Sequence, residues 1–304
     1  MQRLDPVSLK LFVRVIEAGT IAAAADSEHI AAAAVSKRLA EIEAHLGTQL
    51  LVRTNKGVEP TAAGLALQAL ARRALHELDQ IPVQMQGYAS GVRGLVRVCA
   101  SMSAITQFLP ADIRSFRDQY PGVQVQLEER TSTRVTRLVA DNAADLGIYN
   151  SAPHDPALAT LPYHRDRLVV CAPRPHPLAA RASVRFEDIA AEEIIGMHTG
   201  SAIGGLLSRA AGAIERPLRM RMQVTSFDAL CMMVHNRLGV GVLPDTVARR
   251  NAVTLDIAVV PLEDAWARRE FTIAMRQDES TLLAARLLAS HLQARAAATG
   301  PAAG

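Results

Sequence analysis

Aromatic residues are scarce in this chain of 304: one Trp, four Tyr and six Phe make up 4% of it. Cysteine is scarcer. Cys99, Cys171 and Cys231 lie far apart and form no CxxC pair, and the first and second sit in apolar, strand-like runs. Buried free thiols in a reducing cytoplasm are the expectation, with a redox-sensing pair as a minor alternative. No apolar run approaches the length of a membrane span, and the first residues lack the apolar core and cleavage site of an export signal. Charge is nearly balanced. The net value is +3, and residues 1–91 hold nine basic and nine acidic side chains. Bulk charge therefore permits nucleic-acid binding without announcing it. Signatures of catalysis are missing as well: there is no GxSxG elbow, Walker loop, dinucleotide fingerprint or HExxH. His176, His198 and His235 fall in separate segments, so converging metal ligands are not expected. Gly204-Gly205 and Gly239-Val240-Gly241 read as turn and packing glycines. No enzyme activity, cofactor or metal follows from these patterns. The length fits two or three domains, each able to bury a core.

What the chain does contain is concentrated near its start. Asp5-Pro6 opens a helix, with the acid as cap and proline at the first helical position. Leu9, Phe12 and Ile16 give it an apolar stripe, and Gly19 stops it. Thr20 caps an alanine helix at 22–25. A third helix spans 32–46, with Val35, Leu39, Ile42 and Leu46 on one stripe. Its other face begins with the small residues Ala32 and Ala33, followed by Ser36, Lys37 and Arg38. Small side chains allow close approach to a surface. A hydroxyl and two cations just behind them suit phosphates and base edges in a DNA major groove. The plain alternative is an amphipathic helix with a solvated face. Three short helices, two of them in helix-turn-helix order, favour the DNA reading. Two β-prone runs then flank Asn55-Lys56-Gly57, a hairpin wing that sets Arg53 and Lys56 beside the duplex backbone. Arg53 fits a structural ion pair equally well.

Leu9, Phe12, Val15, Glu17, Gly19, Thr20, Ala23-Ala24, Ala34-Val35-Ser36, Leu46-Gly47, Leu50, Arg53-Thr54, Gly57, Thr61 and Ala63-Gly64 fall at the spacing of the LysR-type transcriptional regulators. The stretch resembles that family's winged helix-turn-helix. It departs at Ala31-Ala32-Ala33, where the family usually has Ser-Gln-Pro. Losing the serine removes a cap of ~1 kcal/mol, and losing the glutamine removes a partner for adenine. Glu28 replaces a usual core leucine, and Val52 stands at a usually polar site. Ser36, Lys37 and Arg38 remain as the better contact candidates.

Thr61 caps a long helix reaching about residue 90. Leu67, Ala71, Ala74, Leu78, Ile81, Met85 and Tyr88 alternate by four and three, a seam suited to a partner helix. Residues 61–91 thus read as a dimerising linker after a DNA-binding domain at 1–60, with Pro82 expected to bend or end the helix. From Gly94 strands alternate with helices, implying a mostly parallel sheet. Two α/β halves follow, 92–165 rejoined by 267–304, and 166–266. The crossings near 162–166 and 264–268 permit hinge closure. The resemblance implies a two-subdomain effector domain of the type 2 periplasmic-binding-protein fold over 92–304, in a chain that is α/β overall. Ligands in such sheets sit beyond strand carboxyl ends near helix N-termini. The candidate lining is Ser101, Ser103, Thr131, Ser132, Tyr149, His198, Thr199, Ser201, Ser226 and Phe227, although each hydroxyl also fits a cap or turn. The expectation is a cytoplasmic LysR-type regulator that binds double-stranded DNA, answers a small-molecule effector, forms a homodimer or homotetramer and touches no membrane. The alternative is a solute-binding protein or enzyme on the same α/β fold, with the N-terminal helices as an interaction module.

Overall fold

The computed structural model describes residues 4–54, 57–90, 92–150, 156–277 and 282–299. The chain forms two compact units. One is Met1–Gly94 with Asp141–Ala144, and the other is Leu95–Ala140 with Asp145–Gly304.

The first unit begins with helices α1 (Pro6–Ala18), α2 (Ile21–Ser27) and α3 (Ala32–Leu46). Each boundary has the expected chemistry. Asp5 accepts from the Ser8 amide at 3.0 Å and Thr20 from the Ala23 amide at 3.1 Å. Gly19 and Gly47 end α1 and α3 in the left-handed conformation. Ala31 caps α3 without a side-chain hydrogen bond, which leaves that helix start unsatisfied by its own sequence. A hairpin of β1 (Leu51–Thr54) and β2 (Gly57–Pro60) forms the wing. Leu11, Phe12, Val15, Val35, Leu39, Ile42, Leu50 and Leu67 make up the buried core. Two glycines permit the close packing. A Cβ on Gly57 meets the Gly19 carbonyl oxygen at 2.2 Å, where the Val58 amide donates to that oxygen. A Cβ on Gly64 meets the Leu50 carbonyl oxygen at 2.1 Å.

Helix α4 (Ala62–Ser90) follows the Thr61 cap. It does not end at Pro82. Its seam differs in phase from the expected one. Leu67 and Ala71 are buried in the unit's own core, whereas Leu78 and Ile81 are about half exposed, along with Leu70. The unpartnered stripe therefore runs 70, 74, 78, 81. The side chains of Met85 and Tyr88 lie outside the described residues.

The second unit is built on nine strands among the described residues. In chain order they are β3 (Gly94–Ala100), β4 (Val123–Glu129), β5 (Leu146–Asn150), β6 (Leu158–Pro173), β7 (Ile194–Met197), β8 (Met222–Val224), β9 (Val240–Pro244), β10 (Ile257–Pro261) and β11 (Arg268–Arg276). Their order across the sheet is β4-β3-β5-β11-β6-β9-β7-β8, with β10 also on β6. The sheet is mixed rather than mostly parallel. β3–β5, β7–β8 and β7–β9 are parallel, while β11 runs antiparallel to β5 and β6, and β6 antiparallel to β9 and β10. The reason is that β6 crosses from one lobe to the other and β11, on the chain's return from the second lobe, pairs with it in the first, both against the direction of the βαβ units.

β6 joins the lobes. Its first part pairs with β11 as far as Arg167↔Arg268, and its second part pairs with β9 from Leu168↔Pro244. The helices that matter for the cleft are α5 (Met102–Gln107), α7 (Ser132–Ala140), α9 (Ala202–Ala213), α10 (Phe227–His235) and α11 (Asp245–Asn251), with α6 (Leu109–Gln119) and α8 (Phe186–Ile189) between them. The last helix is α12 (Leu283–Thr299). Cys99, Cys171 and Cys231 are buried and unbridged. Burial pushes the Cys99 thiol up to about 12, so it stays protonated. Among the described residues no helix is long and apolar enough to cross a membrane, and no group of three or more His, Cys, Asp or Glu is placed to hold a metal.

Candidate nucleic-acid interface and ligand cleft

Helix α3 buries Val35, Leu39 and Ile42 against the first unit's core. The helical period then turns its opposite face outward. Ala32 and Ala33 are exposed, Ser36 is half-buried, and the Lys37 side chain is 79% exposed with only a loose 3.9 Å approach to Glu41. Arg38 is different. Its guanidinium donates to Ser8 Oγ at 3.0 Å and lies 3.4 Å from Asp5, bracing α3 against the start of α1. Its first role is therefore structural. The Arg53 side chain and all of Lys56 lie outside the described residues.

Glu28, where the family usually has an apolar residue, is only 16% exposed. It receives Lys10 at 2.6 Å and Arg14 at 3.2 Å. The Lys10 hydrogen bond, with help from Arg14, holds its carboxyl below the usual range. An ion pair thus fastens the turn between α2 and α3 to α1, at a place where a leucine would do so by burial. Sequence reading noted the substitution and missed its partners, because Lys10 and Arg14 are brought to it by the packing of α1.

In the second unit a cleft of about 270 Å³ opens between the two lobes. It gathers Ser101, Ser103, Thr131, Ser132, His198, Ser201 and Phe227 from the expected set. Three expected residues are not in it. The Tyr149 side chain is buried elsewhere, because alternation along β5 sends Tyr149 and Asn150 to opposite faces, and Asn150 is the one that reaches the cleft. Thr199 is bonded to Gln223 at 3.3 Å, on the exposed side of its loop. Ser226 accepts from the Ala229 amide at 3.2 Å and serves only as the cap of α10. Sequence reading also missed the cleft's apolar wall, Met102, Met197 and Ile203, and its charged rim, Glu129, Arg130 and Arg134. Apolar residues at strand ends and helix starts carry no signal that separates a cleft wall from the core.

Two atoms give the cleft its chemical character. Ser101 Oγ and Asn150 Nδ2 are buried and have no hydrogen-bond partner among the described residues. Asn150 is 1% exposed, and its Oδ1 accepts from Ser132 Oγ at 3.3 Å, which fixes the amide with its N–H groups free. A buried donor without an acceptor costs about 1–3 kcal/mol. The residues that open α7 and α9, Ser132 and Ala202 among them, also line the cleft, and the start of a helix is the positive end of its dipole. His198 Nδ1 faces the Thr199 carbonyl at 3.0 Å and must carry the proton there, since that oxygen only accepts. The arrangement offers donors from Ser101 and Asn150 together with apolar contact from Met197, Ile203 and Phe227.

A DNA-binding-type three-helix module with a wing, followed by a two-lobed α/β sensor with a polar cleft, defines a ligand-responsive DNA-binding protein. Comparison with known proteins agrees over nearly the whole chain. Residues 7–65 match the bacterial regulatory helix-turn-helix protein, lysR family, and residues 89–297 match the LysR substrate binding domain. The chain belongs to the LysR family of transcriptional regulators, which are regulators and not enzymes. Among its relatives, the HTH-type transcriptional regulator AlsR of Bacillus subtilis is 26% identical, covering 89% of each chain. The nitrogen assimilation regulatory protein nac of Klebsiella aerogenes is 25% identical, covering 91% of this chain and 88% of its own. Of solved structures, a full-length single-site variant of OxyR from Pseudomonas aeruginosa superposes with TM-score 0.71 at 20% identity over 96% of both chains. CbnR, a LysR family transcriptional regulator, gives TM-score 0.70 at 21% identity, over 96% of this chain and 99% of that one.

Proposed function

We propose that this regulator reads double-stranded DNA with the outer face of α3, Ala32, Ala33, Ser36 and Lys37, and steadies the duplex with Arg53 and Lys56 of the wing. The observation that carries this reading is the contrast on one helix: a sealed apolar stripe opposite an alanine-led face ending in a nearly free lysine. In this division 1–60 binds DNA, 61–91 pairs two copies, and 92–304 senses a ligand. The stripe 70, 74, 78, 81 is the pairing surface for a homodimer, from which a homotetramer can be built through the effector domains. A structure of full-length CbnR complexed with its target DNA, 22% identical with TM-score 0.69, is consistent with the DNA-bound arrangement. The place of action is the cytoplasm, where its DNA is.

The effector is a small carboxylate with a compact apolar body. Asn150 Nδ2 and Ser101 Oγ lack acceptors, and a carboxylate supplies two oxygens to satisfy them. A cavity of about 270 Å³ fits a metabolite of modest size. By binding one lobe arrangement better than another, it shifts the population of states.

Gel-shift titration with DNA from upstream of neighbouring genes tests the DNA face. The double substitution Ser36→Ala/Lys37→Ala is expected to lower affinity by about tenfold or more and to flatten its salt dependence. Unchanged affinity refutes the assigned face.

A further inference from the structure

We propose that the hydrogen bond between Gln107 and Thr246 is a stop that sets how far the two lobes of the sensor open. Gln107 is the last residue of α5, in the first lobe, and Thr246 lies at the start of α11, in the second. Thr246 Oγ1 donates to Gln107 Oε1 at 2.9 Å. The other end of the same amide is held. Gln107 Nε2 donates to Asp166 Oδ2 at 2.7 Å and to the Ser103 carbonyl at 3.1 Å. One side chain is thus bound at its nitrogen by the first lobe and the crossing strand, and at its oxygen by the second lobe.

The position of this bond is what makes it a stop. Asp166 on β6 and Arg269 on β11 stand directly opposite in the strand ladder, one pair before β6 leaves β11. They form a two-armed ion pair, with Nε to Oδ1 at 2.8 Å and Nη2 to Oδ2, and their side chains are 4% and 1% exposed. That pair clamps β6 and β11 together. Arg269 Nη1 also donates to Ser103 Oγ at 3.4 Å, and Ser103 lines the cleft. The second lobe begins at once. Leu168 pairs with Pro244, and Thr246 follows two residues later. A bond so near the pivot changes length little for small rotations and must break for large ones. Asp166 and Ser103 hold the Gln107 amide in place beforehand, so little side-chain entropy is lost when Thr246 meets it.

This assignment rests on the cleft being the effector site, since an open cleft matters to regulation only if something closes in it. A neutral hydrogen bond of this kind shifts a two-state equilibrium by about two- to tenfold. A looser stop lowers effector affinity by the same factor, because the binding-competent arrangement is less populated.

The test is backbone hydrogen exchange on the full-length protein without added ligand, which keeps its outcome independent of what the cleft binds. Thr246→Val keeps the shape and removes the hydroxyl. It is expected to speed exchange about three- to tenfold at the cleft walls, residues 129–134 and 198–204, and to leave β9 at 240–244 unchanged. Thr246→Ser is expected to restore the wild-type rates. Gln107→Met removes the bond to Thr246 together with those to Asp166 and Ser103 and is expected to accelerate exchange at least as much; adding Thr246→Val to it is expected to bring no further acceleration, since the shared bond is already gone. Unchanged rates at the cleft walls overturn the proposal. So does a uniform rise that includes β9, which reports general destabilisation.

Discussion

Gly64→Ala sets two physical effects against each other, and the structure decides the sign. Gly64 is within helix α4, so intrinsic propensity favours alanine by about 1 kcal/mol. On propensity alone the substitution stabilises. The added Cβ, however, lies 2.1 Å from the Leu50 carbonyl oxygen, against a contact floor of 3.0 Å. The obstacle is backbone, and it is held in place. The Leu50 oxygen accepts from the Thr61 amide at 2.9 Å and from Thr61 Oγ1 at 3.2 Å, and Thr61 Oγ1 in turn accepts from the Gly64 amide at 3.0 Å. Helix α4 must retreat by nearly the whole shortfall. That breaks a cap of about 1 kcal/mol and lifts Leu67 and Ala71 from their buried seats, an overpacking effect of about 1–3 kcal/mol. Net destabilisation of the first unit is about 2 kcal/mol. For a unit of this size that lowers its melting temperature by about 8–16 °C. Scanning calorimetry of the full-length protein, with hydrogen exchange across 50–71 to assign the transition, measures it. A melting temperature at or above wild type shows the steric argument to be mistaken.

Leu78→Lys is expected to lower the sedimentation coefficient toward that of a single chain while leaving the first unit folded, because Leu78 is 43% exposed there. Leu67→Lys, at a position 9% exposed, is expected to unfold that unit instead; the reverse pattern contradicts the assigned phase of α4. In the second unit, burial raises the pKa of Asp112, but hydrogen bonds from His164, Tyr163 and Arg295 outweigh it and hold the group below its ordinary 3.8. Its contribution is then present above about pH 4 and lost as pH falls through the lower folded value. Asp112→Asn is expected to lower stability at pH 7 by about 2 kcal/mol and to converge with wild type in acid; a difference that grows on acidification reverses the assigned sign. Any small carboxylate that raises the wild-type melting temperature in a thermal-shift panel is expected to have no effect on Asn150→Asp, which replaces a buried donor with a like charge. An undiminished shift in that variant moves the carboxylate away from Asn150.

The sequence by itself determined what depends on neighbours in the chain. The caps Asp5, Thr20 and Thr61, the glycine stops at 19 and 47, and the apolar stripe of α3 are local chemistry, and each is found where the residues place it. The strand–helix alternation was legible for the same reason. Tertiary packing decided everything that needed a second segment. It took Arg38 for Asp5 and Ser8, and gave Glu28 to Lys10 and Arg14. It buried Leu67 and Ala71 while leaving Leu78 and Ile81 about half exposed. It brought Asn150 to the cleft in place of Tyr149, one residue away. It also turned a sheet expected to be mostly parallel into a mixed one, because β6 and β11 run against the direction of the βαβ units. A period in the sequence fixes which residues share a face, but only the packed neighbour fixes whether that face is sealed, paired or left open to a ligand.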